Sequence, residues 1–160
     1  GVPLGFANRV EKGSIGIVGA SGTGTQQVTT LIDALGGGVS QVIGTGGRDL
    51  SLRVGGRTTL AALDALAQDE ATEVVVIISK PPAAEVSERI IAKARSIDKK
   101  IVLCLLGAKH QDNLPNNIIQ CSNLEETAIK AVSIALNSDV SLSEKENNRY
   151  LFEEFIKVRK

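Results

Sequence analysis

The segment Ala20-Ser21-Gly22-Thr23-Gly24-Thr25 places three hydroxyls and two glycines directly after an apolar, β-branched run. Where such a segment opens a helix, the unpaired first-turn amides and the positive end of the helix dipole favour a negative charge. The glycines let a ligand approach the backbone. The chemistry expected is retention of a phosphate or a carboxylate, with Ser21, Gly22, Thr23, Gly24 and Thr25 as candidate contacts. The alternative is a tight strand-to-helix turn with a hydroxyl cap and no ligand. Two known phosphate patterns are not met: no lysine follows the glycines as a Walker loop requires, and Gln27 stands where a dinucleotide fingerprint needs its third glycine.

Two further segments could face the same anion. Gly44-Thr45-Gly46-Gly47-Arg48-Asp49 offers Gly46, Gly47 and Arg48, and Lys80 precedes Pro81 and Pro82, which stiffen the turn. Taken singly, Arg48 and Lys80 read as ordinary surface cations; together at strand ends they read equally well as anion clamps. The one histidine, His110, lies among Lys109, Gln111, Asp112 and Asn113 and reads as a solvated loop residue. No His, Cys or carboxylate grouping has metal-ligand spacing, so no metal is expected. There is also no Gly-x-Ser-x-Gly nucleophile elbow.

The elements that must position these residues follow from the alternation of β-rich apolar runs with helical patterns, the signature of βαβ units. Strands are expected at 14–20, 39–43, 73–79, 101–105 and 118–121, and helices at about 25–35, 57–68, 84–97 and from 122 onward. The first helix would bury Val28, Leu31, Ile32 and Leu35 and end at Gly36-Gly37-Gly38. The third would bury Val86, Ile90, Ala94 and Ile97. The fourth would start with a Ser122–Glu125 capping box and bury Leu124, Ala128, Val132 and Leu136. Glu73 to Ser79 is nearly continuous in Val and Ile, as suits a strand covered on both faces. Right-handed crossovers then give a flavodoxin-like, doubly wound α/β fold: a five-stranded parallel sheet in the order 2-1-3-4-5.

Residues 1–138 are expected to form this domain and 139–160 a further helix carrying Tyr150, Phe152 and Phe155, which either packs back or docks another domain or subunit. Formal charge balances at 18 basic and 18 acidic residues, giving nucleic-acid binding no electrostatic support. The apolar runs 74–78 and 101–106 are far short of a membrane span, and the opening residues show no leader pattern. Cys104 and Cys121 fall in or at the end of neighbouring strands and read as buried reduced thiols, with a disulfide as the alternative. A soluble, cytoplasmic protein is therefore expected.

With these residues in view, Ile15-Gly16-Ile17-Val18-Gly19-Ala20-Ser21-Gly22-Thr23-Gly24-Thr25, the Gly44-Thr45-Gly46-Gly47 loop and Ala71 to Ile78 resemble the ligase domain of succinyl-CoA synthetase α subunits. The FdrA family of acyl-CoA-synthetase-like proteins is closer still in Leu4-Gly5-Phe6-Ala7-Asn8, Gly46-Gly47-Arg48-Asp49-Leu50 and Ser79-Lys80-Pro81-Pro82-Ala83. The resemblance implies a flavodoxin-like ligase domain that normally follows a separate CoA-binding domain, here absent. For the full-length protein it implies CoA, mainly through that other domain, and ATP. Partners would be a small anion (phosphate or acyl phosphate) and the remaining domains or a partner subunit, with homo-oligomer formation also open. In the synthetases the Ser-Gly-Thr turn faces a phosphorylated histidine in a Gly-His-Ala-Gly segment; nothing like it occurs between Leu105 and Cys121. Gln27 and Lys80 stand where synthetase glutamates hold that histidine. The resemblance thus implies a retained fold with changed chemistry: an acyl-CoA-synthetase-type ligase domain without the phosphohistidine, a carbamoyl transferase component such as that of oxamate carbamoyltransferase, or a non-catalytic assembly module.

Overall fold

The computed structural model describes residues 9–107, 111 and 113–141. His110, residues 4–8 and the expected C-terminal helix lie outside the described residues. Five strands alternate with four helices: β1 (Lys12–Gly19), α1 (Gly22–Ala34), β2 (Val39–Gly44), α2 (Arg57–Gln68), β3 (Val74–Ser79), α3 (Ala84–Arg95), β4 (Lys100–Leu105), β5 (Ile118–Cys121) and α4 (Leu124–Leu136). All pairings are parallel and the order is β2-β1-β3-β4-β5. This is the flavodoxin/Rossmann-like architecture expected from the alternating runs.

Each element has a local cause. β3, with every residue buried, is the middle strand, and its unbroken Val/Ile run is what a strand with two apolar faces requires. β2 lies at an edge and is half exposed. The chain steps one way from β1 to β2 and back across to β3, so right-handed crossovers put α1 and α2 on opposite faces. α2 and α3 pack Leu63, Leu66, Val86 and Ile90 against Val18, Val75 and Ile77. On the other face α1 and α4 pack Val28, Ile32, Ala128 and Val132 against Ile15, Ile17, Val76 and Ile78. α1 stops in a Schellman motif: Gly36, at φ +77°, donates its N–H to Asp33 O and Gly37 donates to Ile32 O.

Strand ends differ from the sequence expectation by one or two residues, and three helix boundaries differ in ways that matter for capping and packing. α1 begins at Gly22, three residues early, because Ser21 takes up extended backbone and caps the helix, so the glycines form its first turn instead of a loop. α3 ends at Arg95, and Ile97 is buried just beyond it. α4 is capped one residue later than expected. Asn123 Oδ1 accepts from the Glu126 N–H, and Glu126 Oε2 reaches back to the amide and hydroxyl of Ser122, so the pair is Asn123–Glu126 in place of Ser122–Glu125. With that phase Leu124 is half-buried and Leu136 is 48 % exposed at the last turn.

Candidate functional site

The sheet order reverses between β1 and β3, and at the carboxyl ends of these strands the chain leaves to opposite faces. A crevice is the geometric consequence. Here it is a cavity of about 700 Å³ with three walls. Ala20 and Ser21 come from the turn between β1 and α1, and Gly22 and Thr23 from the first turn of α1. Gly47, Leu50 and Ser51 come from the loop between β2 and α2, and Ser79, Lys80, Pro81 and Ala83 from the turn between β3 and α3. Lys80 is the only charged side chain among these lining residues, and it is exposed.

The hydroxyl-rich turn is organised differently from a simple ring of donors. Ser21 Oγ accepts from the Gly24 N–H at 3.3 Å, and Thr25 Oγ1 donates to Ser21 O at 2.6 Å in a buried position. Gly24 and Thr25 therefore support the turn from behind and do not line the cavity. The first two amides of α1, on Gly22 and Thr23, have no carbonyl one turn earlier to accept from them. No acidic residue sits in that first turn. Two glycines set the geometry by lacking a side chain. A Cβ on Gly19 would fall 1.8 Å from Thr25 Oγ1, while one on Gly22 would meet nothing within 4 Å. α3 also starts at the cavity: its N-cap, Ala83, supplies no capping side chain, although Glu85 follows in the first turn.

The loop from Gly44 to Gly56 is held by Asp49, which is 4 % exposed. Its carboxylate accepts from the Thr58 and Thr59 amides at 2.9 Å each and from the Thr59 hydroxyl at 2.7 Å, closing the start of α2, whose N-cap Gly56 has no side chain to do so. Burial pushes this carboxyl up, but the Thr59 hydroxyl and the Thr58 and Thr59 amides together outweigh it and hold the pKa below its ordinary value. Asp49 thus fixes the loop, with Gly47 on one side and Leu50 and Ser51 on the other turned to the cavity.

Of the expected site residues, the structure brings Ser21, Gly22, Thr23, Gly47 and Lys80 together, while Gly24, Thr25, Gly46 and Arg48 lie off the cavity wall. Arg48 is exposed beside the cavity. Leu50, Ser51, Ser79, Pro81 and Ala83 were not singled out for a site; for Ser79, Pro81 and Ala83 the signal is their place next to Lys80 at the end of a buried strand. The two thiols are free and buried under α4 and opposite each other in register on β4 and β5. Burial raises both pKa values, that of Cys121 to about 12. Among the described residues no group of His, Cys, Asp and Glu could hold a metal ion, and no helix is long and apolar enough to cross a membrane.

A parallel sheet with its crevice at the strand-order reversal defines a doubly wound α/β domain of the kind that takes ligands at that point. Residues 10–107, from the lead-in to β1 through the end of β4, match the CoA binding domain family, and the chain belongs to that family. The match runs over the chain's own residues and is consistent with CoA binding by a domain of this kind. The chain is also similar to YahF of Escherichia coli strain K12, described as an uncharacterized protein, with 44 % identity over 135 residues. That alignment takes in 84 % of this chain and 26 % of YahF, so the chain spans about a quarter of its relative's length.

Proposed function

We propose that this domain works within an acyl-CoA-synthetase-type protein of the FdrA kind, where its cavity holds phosphate or the phosphate of an acyl phosphate. The observation that carries the reading is the convergence of three positive features on one cavity: the starts of α1 and α3 and the ammonium of Lys80. Two helix dipoles and a cation aimed at one volume favour a compact anion. The cavity also has room for more than a phosphate, and the open space over Gly22 lets a ligand reach the backbone amides.

The lining residues fit the phosphate-bearing end of a CoA-type ligand. What CoA supplies when bound is a thiol that accepts an acyl group. The chain's residues do the rest: the Gly22 and Thr23 amides and Lys80 orient and stabilise the negative charge of the leaving phosphate. Among the described residues that line the cavity none is a histidine, and no Gly-His-Ala-Gly segment follows β4, so the reading is direct binding of an acyl phosphate in place of relay through a phosphorylated side chain. The remaining domains of the longer protein would supply the acyl substrate and the nucleotide.

Thermal-shift titration with phosphate, carbamoyl phosphate, oxamate, CoA and ATP tests this. Phosphate should raise the melting temperature in a concentration-dependent way. Because Lys80 is exposed, Lys80→Gln should weaken that response only about three- to tenfold. A marked preference for carbamoyl phosphate over phosphate identifies the transferase alternative. If none of the anions stabilises the fold, the assembly-module reading takes over and the phosphate reading is lost.

A further inference from the structure

α1 and α4 lie side by side over one face of the sheet, and toward their C-terminal ends the apolar surface they share is only partly covered. A Cβ on Gly37, just beyond α1, would fall 2.8 Å from Val132 Cγ2, so the exit of α1 abuts α4. Helical spacing puts Ile129 and Leu136 on the same side of α4 as Val132, three residues before it and four after. Ile129 is half-buried, as are Leu31 and Leu35 on α1, and Leu136 is 48 % exposed. The chain stays on this surface as it leaves α4. Asn137 takes up left-handed backbone at φ +49°, and the Val140 N–H donates to Ser133 Oγ at 3.3 Å, a turn before the end of the helix. Val140 also packs against the core that α1 and α4 cover, so by this residue the chain has turned back along α4. Residues 142–160 come next, and in them Leu151, Phe155 and Val158 recur at intervals of four and three, with Phe152 and Ile156 beside them. An apolar stripe at that spacing needs a surface to lie on.

We propose that residues 142–160 dock on this surface of their own domain, as a helix antiparallel to α4 that covers Leu136 and the line between α1 and α4. The length fits: a helix over 144–158 is about 22 Å long at a rise of 1.5 Å per residue, against about 20 Å for the 13 residues of α4. The charge fits as well. An antiparallel course brings Lys157, Arg159 and Lys160 to the start of α4, where Glu125 and Glu126 are exposed. This surface is separate from the cavity, so the docking stands or falls independently of the ligand read there.

Hydrogen exchange followed by mass spectrometry on the 160-residue chain tests the docking. A lone helix of this length is marginal in water, so slowed exchange across 150–158 reports contact with the domain. In the wild type these amides should exchange at least about tenfold more slowly than in a synthetic peptide of residues 142–160, at every protein concentration. Leu136→Lys places a cation at the end of α4, where the helix dipole favours it, and Phe155→Asp changes only the segment itself. Each should remove most of the protection across 150–158 and leave the β3 amides as slow as in the wild type. Phe155→Asp keeps the test intact should Leu136→Lys disturb α4. Wild-type exchange as fast as that of the peptide overturns the proposal, as does protection that neither variant changes. Protection that rises with protein concentration also overturns it, and gives the surface to a second copy of the chain.

Discussion

Replacing Asp49 by Asn tests how the wall of the cavity is built. The carboxylate accepts three hydrogen bonds, at 2.9, 2.9 and 2.7 Å, from donors at the start of α2. An asparagine of the same shape keeps one acceptor oxygen and turns an NH2 group toward donors, so at least one bond is lost and a donor faces a donor. Losing a charge-assisted bond at a buried site costs about 1.5–3 kcal/mol, and removing a charge from a helix N-terminus costs a further ~0.3–1 kcal/mol. The expected loss is about 3 kcal/mol, or a fall in melting temperature of roughly 10 °C for a domain this size. Urea unfolding followed by circular dichroism at a series of pH values measures it. The carboxyl's folded pKa lies below its unfolded value of 3.8, so its stabilisation is complete above that value and is lost as pH falls through the folded pKa. The gap between wild type and variant should therefore hold steady from about pH 7 to pH 5 and narrow below about pH 4. A loss under about 0.5 kcal/mol at neutral pH, or a gap that persists unchanged at about pH 3, would refute the role given to Asp49.

Two glycines three residues apart should respond oppositely to alanine. Gly19→Ala forces a Cβ to within 1.8 Å of Thr25 Oγ1 and should cost about 1–3 kcal/mol, whereas Gly22→Ala enters open space in the first turn of α1 and should gain up to about 1 kcal/mol, both read from urea midpoints. The reverse order would contradict the helix start at Gly22. The thiol of Cys121, pushed to about 12 by burial and by the nearby Glu126 carboxylate, stays protonated long after the unfolded thiol, near 9.0, has ionised. Its stabilisation is full below that unfolded value and drains away as pH rises from 9.0 to about 12, so unfolding titrations should show falling stability over that window. Under native conditions near pH 8, iodoacetamide should label neither cysteine, and in denaturant both; rapid native labelling would contradict the burial of the pair.

Strands were legible because burial on two faces demands an unbroken apolar run, and 74–78 can be little else. Their order is one that right-handed crossovers commonly give, although handedness by itself also admits others. What sequence could not give was phase. Ser122 with Glu125 and Asn123 with Glu126 satisfy the same capping pattern, and only the extended backbone at Asn123 selects the second. Likewise Gly22 and Gly24 read as loop because glycine is the poorest helix former short of proline, yet the Ser21 cap and the burial of Val28 and Ile32 carry the helix through them. At the site, Lys80 could be found because it directly follows an unmistakable strand. Leu50 and Ser51 could not, because their position is fixed by Asp49 reaching a helix nine residues away, a contact with no periodic signature.

The four helix starts show how the chain distributes its negative charge. α2 is closed by Asp49, brought in from the preceding loop, and α4 by Asn123 and Glu126, with Glu125 beside them. These two starts are satisfied from within. α1 has a neutral cap and no acid in its first turn, and α3 has no capping side chain at all. Those two starts, neither closed by a charged cap, are the ones that line the cavity with Lys80 at the strand-order reversal. An acid in the first turn of α1, where none stands, would have stabilised that helix by several tenths of a kcal/mol. A start of α1 with a neutral cap and no acid fits the proposed reading, in which the negative charge arrives with a ligand, while Glu85 in the first turn of α3 offsets part of that helix's field from within the chain.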